Sequence, residues 1–209
     1  MSLRYAVLGF LSISPYSGYD LKRFFNASVR HFWSADQAAI YRTLAELEGE
    51  ELVVYERVEQ QTRPDRKVYH ITPAGVRALD AWLTQPAPSQ VRREPLLLKL
   101  FFASRVQGDD LAALLGAELA ATDAELASFR AILASIEQDT AAVERDAGTA
   151  EAIAAHARLL VGPLITLSNG VRLGVAYRDW LRSLLAAQAG GTLTASALLA
   201  DLHGQLDGA

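Results

Sequence analysis

Residues 34–75 constrain this chain more than any other stretch. They read SADQAAIYRTLAELEGEELVVYERVEQQTRPDRKVYHITPAG. Ser34 or Asp36 supplies a short side-chain oxygen for the free N–H groups of a first helical turn. Behind it Ile40, Leu44 and Leu47 recur at spacings of four and three, an apolar stripe on one helix face. Ala38, Tyr41, Arg42 and Ala45 fall on the other side, with Gln37 at its edge. Two β-branched and aromatic runs follow, residues 52–58 (LVVYERV) and 67–72 (KVYHIT). A polar turn with Pro64-Asp65 joins them and places Arg63, Arg66 and Lys67 at its tip.

A helix handing directly to a two-stranded ribbon with a basic tip is the layout of a winged helix-turn-helix. Small alanines let such a helix approach a DNA groove closely. Gln37 and Arg42 can hydrogen-bond base edges, and Tyr41 and Arg42 can reach phosphates. Glu46, Glu48, Glu50 and Glu51 cluster at the far end of the helix, away from the groove if its N-terminal half docks. The preceding segments fit the same layout. Residues 2–13 predict a helix with Leu3, Val7, Leu8 and Leu11 inward, ended by Pro15. A second helix runs from Tyr19 to about Val29, with Leu21, Phe24 and Phe25 apolar and Tyr19, Lys22 and Arg23 as candidate phosphate contacts. Ser34 joins the DNA-facing set at the turn. Trp33 reads as core or cover.

These residues carry a resemblance. Leu3-Arg4-Tyr5-Ala6-Val7-Leu8-Gly9, Ser17-Gly18-Tyr19-Asp20-Leu21, Phe32-Trp33, Ile40-Tyr41-Arg42-Thr43-Leu44, Glu50-Glu51-Leu52-Val53 and residues 66–75 (RKVYHITPAG) occur in order over about the first 80 residues. In this the chain resembles the PadR family of bacterial transcription regulators. It departs at Ser34-Ala35-Asp36-Gln37, where a Pro- or Gly-containing turn is expected. The resemblance implies repression of transcription from a two-fold operator in double-stranded DNA, and a small-molecule effector site near aromatics at the domain junction.

Pro73 suits the first turn of a helix running to Leu83, after which Gln85-Pro86-Ala87-Pro88-Ser89-Gln90 marks a boundary. Three segments result: a winged helix-turn-helix over 1–85, a helical domain over 91–188 and a tail over 189–209. The tail is Ala-, Gly- and Thr-rich and reads as frayed or weakly helical. In the helical domain, a helix is expected over 96–106, then a longer one. On that one Leu115, Leu119, Thr122, Leu126, Phe129, Leu133, Ile136, Thr140 and Val143 alternate four and three apart, a heptad seam. Such a seam packs either within the chain or across a dimer, and Thr122 and Thr140 are candidates for setting its register. A last helix over about 150–187 is expected to kink or open at Pro163. Glu94-Pro95-Leu96-Leu97-Leu98-Lys99 and the Gly170…Trp180-Leu181 stretch resemble the C-terminal dimerisation domain of a PadR subgroup. The resemblance implies a homodimer through Leu115, Leu119, Leu126, Phe129, Leu133, Ile136, Leu164, Leu167 and Trp180. The fold class expected is therefore mainly α with a small β-wing: a winged helix-turn-helix plus a helical, coiled-coil dimerisation domain.

Charge and composition narrow the function. Net charge is −4, which argues against unspecific coating of nucleic acid. Residues 1–85 hold ten Lys/Arg against ten Asp/Glu, net zero, and the acid excess lies wholly in 86–209. A neutral DNA domain predicts modest nonspecific affinity with strong salt dependence. With no cysteine there is no disulfide framework and no thiolate metal site. His31, His70, His156 and His203 do not pair at metal-ligand spacing, and no phosphate loop or nucleophile elbow occurs. No enzyme, metal or cofactor is expected. The apolar run 159–167 is too short for a bilayer and the N-terminus is no signal peptide, so no membrane role and a cytoplasmic location are expected. The competing reading is a winged helix used for protein contact and assembly, without specific DNA binding.

Overall fold

The computed structural model describes residues 2–29, 32–33, 35–59, 66–87, 93–146 and 149–207. They form two compact units, Met1–Gln90 and Val91–Ala209, each described by itself.

The first unit runs α1 (Ser2–Ile13), β1 (Tyr16–Ser17), α2 (Gly18–Ser28), α3 (Gln37–Gly49), β2 (Val53–Val58), β3 (Arg66–Ile71) and α4 (Pro73–Leu83). Three helix starts are fixed by side-chain caps. Ser17 Oγ accepts the Asp20 N–H at 3.2 Å, Asp36 Oδ1 the Ala39 N–H at 2.6 Å, and Thr72 Oγ1 the Gly75 N–H at 3.1 Å. The α3 helix ends through Glu51 in the left-handed region (φ 57°), which lets the Leu52 N–H donate back to the Leu47 carbonyl at 2.9 Å. That reversal aims the chain into β2. Val7, Leu8, Leu11, Leu21, Phe25, Ile40, Leu44, Leu47, Val53, Tyr69 and Leu79 form one buried core, with Leu3 and Trp33 partly buried against it. Each buried leucine of that set contributes roughly 1.5–3 kcal/mol of transfer free energy. Of the expected helical stripes, Val7, Leu8, Leu11, Leu21, Phe25, Ile40, Leu44 and Leu47 are buried, while Leu3 and Phe24 are partly so.

The sheet has three antiparallel strands in the order β1-β3-β2, one more than the sequence predicts. Tyr55 lies opposite Tyr69 across the hairpin, and Tyr16 lies opposite Tyr69 on the other side. The extra strand ties the start of α2 to the centre of the wing.

The second unit comprises α5 (Pro95–Phe101), a 3-10 turn (Ala103–Arg105), α6 (Gly108–Asp146), α7 (Ala150–Ala189) and α8 (Ala195–Asp207). The α6 and α7 helices form an antiparallel hairpin, early residues of one meeting late residues of the other. Leu111 and Leu115 pack with Leu181 and Leu96, while Leu126 and Phe129 pack with Leu167. Gly174 permits this approach, since a Cβ there would lie 2.9 Å from the Leu126 side chain.

Several expectations are corrected here. Within the hairpin, Leu115, Leu126 and Phe129 of α6 are buried against α7, Leu167 of α7 is buried against α6, and Leu119 and Trp180 are partly buried beside them. The seam opens beyond Phe129: Leu133 is 42% and Leu164 38% exposed, and with Ile136, Thr140 and Leu160 they line a groove of about 340 Å³. Thr122 and Thr140 donate to the Glu118 and Ile136 carbonyls of their own helix, at 2.9 and 2.8 Å. The helix after Glu94 stops at Phe101, short of the expected end. The α7 helix continues through Pro163, an exposed position where the missing N–H leaves a carbonyl to water. As one 40-residue helix, α7 is long and apolar enough by length and composition to cross a bilayer, with a mean hydropathy of 1.4 over its most apolar window. Counting the run 159–167 alone missed this. The tail contains a formed helix, α8, whose start is capped where Thr194 Oγ1 accepts the Ala197 N–H at 3.2 Å.

Candidate nucleic-acid interface

The α3 helix presents two distinct faces. Ile40, Thr43, Leu44 and Leu47 are buried, while Gln37, Ala38, Tyr41, Arg42 and Ala45 are exposed. The outward face is therefore a strip of amide, phenol and guanidinium separated by methyl groups. It can donate and accept along a groove edge without bulk to hold it away.

Two contacts seat α2 against α3. The Tyr41 ring covers Gly18: a Cβ at Gly18 would stand 2.5 Å from the ring, so the close approach requires glycine. Lys22 Nζ donates to the Ala35 carbonyl at 2.6 Å. In this position Lys22 also fixes the turn entering α3. Tyr19 remains well exposed at 65%, at the start of α2.

The wing cations lie against the helix pair. Arg66 sits 3.6 Å and Arg23 3.8 Å from the Asp20 carboxylate. Lys67 stands over the Tyr55 ring, 3.7 Å from its centroid, and 3.9 Å from Glu48. Ser34 and Arg63 lie outside the described residues. Sequence reading missed Arg57, which is exposed on β2 directly opposite Lys67 in the hairpin register. Like charges placed opposite one another repel, and an anion between them relieves the repulsion. Pairing the two runs outward from Pro64-Asp65 would have found it.

The acidic end of α3 is also engaged. Arg4 of α1 donates to Glu50 Oε2, and that hydrogen bond raises the Arg4 pKa above its ordinary value. Burial pushes the Tyr69 phenol up, so it is neutral at physiological pH. The surface reads as a hydrogen-bonding helix face carrying one guanidinium, with wing cations beside the helix pair and acids at one end.

Comparison with known proteins places both units. Residues 7–81 match the Transcriptional regulator PadR-like family, and residues 92–189 match the family described as Virulence activator alpha C-term. The Negative transcriptional regulator PadR of Bacillus subtilis (strain 168) is 34% identical over 119 residues, which span 56% of this chain and 65% of that protein. Among solved structures, Bacillus subtilis PadR in complex with operator DNA aligns with a TM-score of 0.70 at 26% identity, covering 90% of this chain and 99% of that one. Bacillus subtilis PadR in complex with p-coumaric acid aligns with a TM-score of 0.65 at 25% identity, again covering 90% and 99%.

Proposed function

We propose, from the premise that this chain belongs to the Transcriptional regulator PadR-like family, that it is a sequence-specific DNA-binding repressor acting as a homodimer. The observation that carries this is the exposed strip of α3, Gln37, Tyr41 and Arg42, together with the exposed wing cations Arg66, Lys67 and Arg57. Bases are read by the strip and phosphates are held by the cations. Two copies set their α3 helices in successive major grooves, about 34 Å apart on a two-fold operator. The second copy covers the apolar surface left open beyond Phe129, which includes Leu133, Leu164 and Ile165. The same surface makes α7 apolar by composition, and a second copy satisfies it without a bilayer; the protein works in the cytoplasm. A small-molecule effector releases the operator by favouring a dimer geometry with the wrong half-site spacing. The related regulator captured with p-coumaric acid supports that kind of control.

The test is a fluorescence-anisotropy titration against DNA upstream of the protein's own gene, with scrambled competitor at two salt concentrations. Tight, competitor-resistant and steeply salt-dependent binding is expected. No binding to any duplex at low salt would replace this reading with a winged helix that contacts protein.

A further inference from the structure

Asp20 stands between the helix pair and the wing. Its Oδ2 accepts the Ser17 hydroxyl at 2.8 Å while its own N–H donates to Ser17 Oγ at 3.2 Å, a reciprocal cap that fixes the carboxylate. That carboxylate faces Arg66 and Arg23 at 3.6 and 3.8 Å. The Asp20 side chain is 21% exposed, against 50% for Arg66 and 65% for Arg23. Both separations exceed the usual hydrogen-bond range of about 2.7–3.2 Å. A carboxylate that aims an arginine at a ligand makes short, often bidentate hydrogen bonds. Asp20 makes its short bond with Ser17 and leaves the two guanidiniums paired with it by charge alone, Arg23 also standing 5.4 Å from the Phe24 ring centroid. Glu48 and Lys67 repeat the arrangement at 3.9 Å, so each of these two wing cations faces an acid from a different helix of the pair.

A phosphate arriving at Arg66 meets a cation already neutralised in part, beside a carboxylate that repels it. We infer that Asp20 is a specificity-determining residue: its charge offsets Arg66 and Arg23 and lowers the affinity for DNA of any sequence. Discrimination is then left to the base contacts of α3. This rests on the DNA-binding reading above, and it fits a unit in which ten Asp/Glu balance ten Lys/Arg over residues 1–85.

Asp20→Asn keeps the size of the side chain and an oxygen for the Ser17 hydroxyl while removing the charge. Anisotropy titrations of the full chain would use the operator and a scrambled duplex between about 50 and 200 mM salt. The variant is expected to bind scrambled DNA about three- to tenfold tighter at low salt, the scale of one exposed charge pair. The ratio of operator to scrambled affinity falls, and the salt slope steepens by up to about 0.9 per cation released to phosphate. In an Arg66→Gln background the gain shrinks to the share that Arg23 carries, which loss of a cap alone would not produce. Weaker binding of both duplexes, or a gain undiminished by Arg66→Gln, would overturn the inference. Should Asp20→Asn melt early, Glu48→Gln applies the same reasoning through Lys67 with no cap involved: tighter scrambled-DNA binding supports it and unchanged binding refutes it. If the wild-type protein binds neither duplex, the DNA-binding reading fails and takes this inference with it. If it binds and the variants match it, only the inference falls.

Discussion

Replacing Gly75 by alanine is expected to unfold the winged unit at markedly lower temperature, although alanine is the better helix former. Gly75 lies in the first turn of α4, and a Cβ there would stand 2.2 Å from the Leu52 carbonyl oxygen and 2.7 Å from Ile71 Cγ1. Carbon–oxygen contacts rarely close below about 3.3 Å, so the helix must lift by about 1 Å. The carbonyl is held in place, because it accepts the Thr72 N–H at 3.0 Å and shares the Thr72 hydroxyl proton, at 3.1 Å, with the Glu51 carbonyl at 2.9 Å. Lifting α4 weakens those bonds, worth about 1 kcal/mol each, and loosens Leu79 and the Trp82–Tyr5 stack at 4.8 Å. Overpacking of this kind costs about 1–3 kcal/mol, against a helix-propensity gain of about 1 kcal/mol. A net loss of about 2–4 kcal/mol follows, lowering the melting temperature of a domain this size by more than about 8 °C. Gly9 is the internal control: it sits in α1 with nothing within 4 Å of an added Cβ, so Gly9→Ala stabilises by about 0.5–1 kcal/mol. Thermal and urea melts followed by tryptophan fluorescence read both. Gly75→Ala within about 0.5 kcal/mol of wild type, or Gly9→Ala equally damaging, would refute the reasoning.

Other expectations concern the two surfaces. Arg42→Ala should weaken operator binding by about 1–3 kcal/mol while sedimentation still reports the dimer; undiminished binding would mean the α3 face is wrong. Leu133→Glu with Leu164→Glu should yield a folded monomer by sedimentation, and a persistent dimer would move the interface elsewhere. The Tyr177 phenol is pushed up to about 12 by burial, with Glu118 adding to it by charge and by a hydrogen bond. The unfolded chain therefore loses this proton first. Stability contributed by Tyr177 is complete below a pH of about 10 and is lost as pH rises through the folded value near 12. In pH-dependent melts, Tyr177→Phe should flatten that decline, and an unchanged decline would assign it to another group.

What the sequence disclosed depended on how local the determinant was. The α3 faces were legible because Ile40, Leu44 and Leu47 repeat within one helix, and the wing because its runs are β-branched. The β1 strand was not, since two residues between Pro15 and Gly18 show no period. The Lys22 bond to the Ala35 carbonyl was not legible, because that acceptor lies across the turn in space. The Asp20–Arg66 pair depends on β1 bringing β3 beside α2, which only the fold reveals. Heptad spacing announced a partner helix for Leu115 and Leu126 without saying whose. The α8 helix was hidden by small residues, although Leu198, Leu199, Leu202 and Leu206 fall on one side of it.

The strand order has a consequence for how the protein fares in a crowded solution. With β1-β3-β2 as the order, β3 is hydrogen-bonded on both sides and β2 on one. Among the described residues no strand lies beyond β2, so its outer N–H and C=O groups form an open template six residues long. Val54 is 54% exposed there, the kind of residue that recruits another chain's strand. Glu56 and Arg57, both exposed in the middle of that edge, place opposite charges where a foreign strand would have to lie flat. They act as gatekeepers against edge-to-edge aggregation, and replacing both by threonine or valine would turn the rim of the wing into an adhesive one.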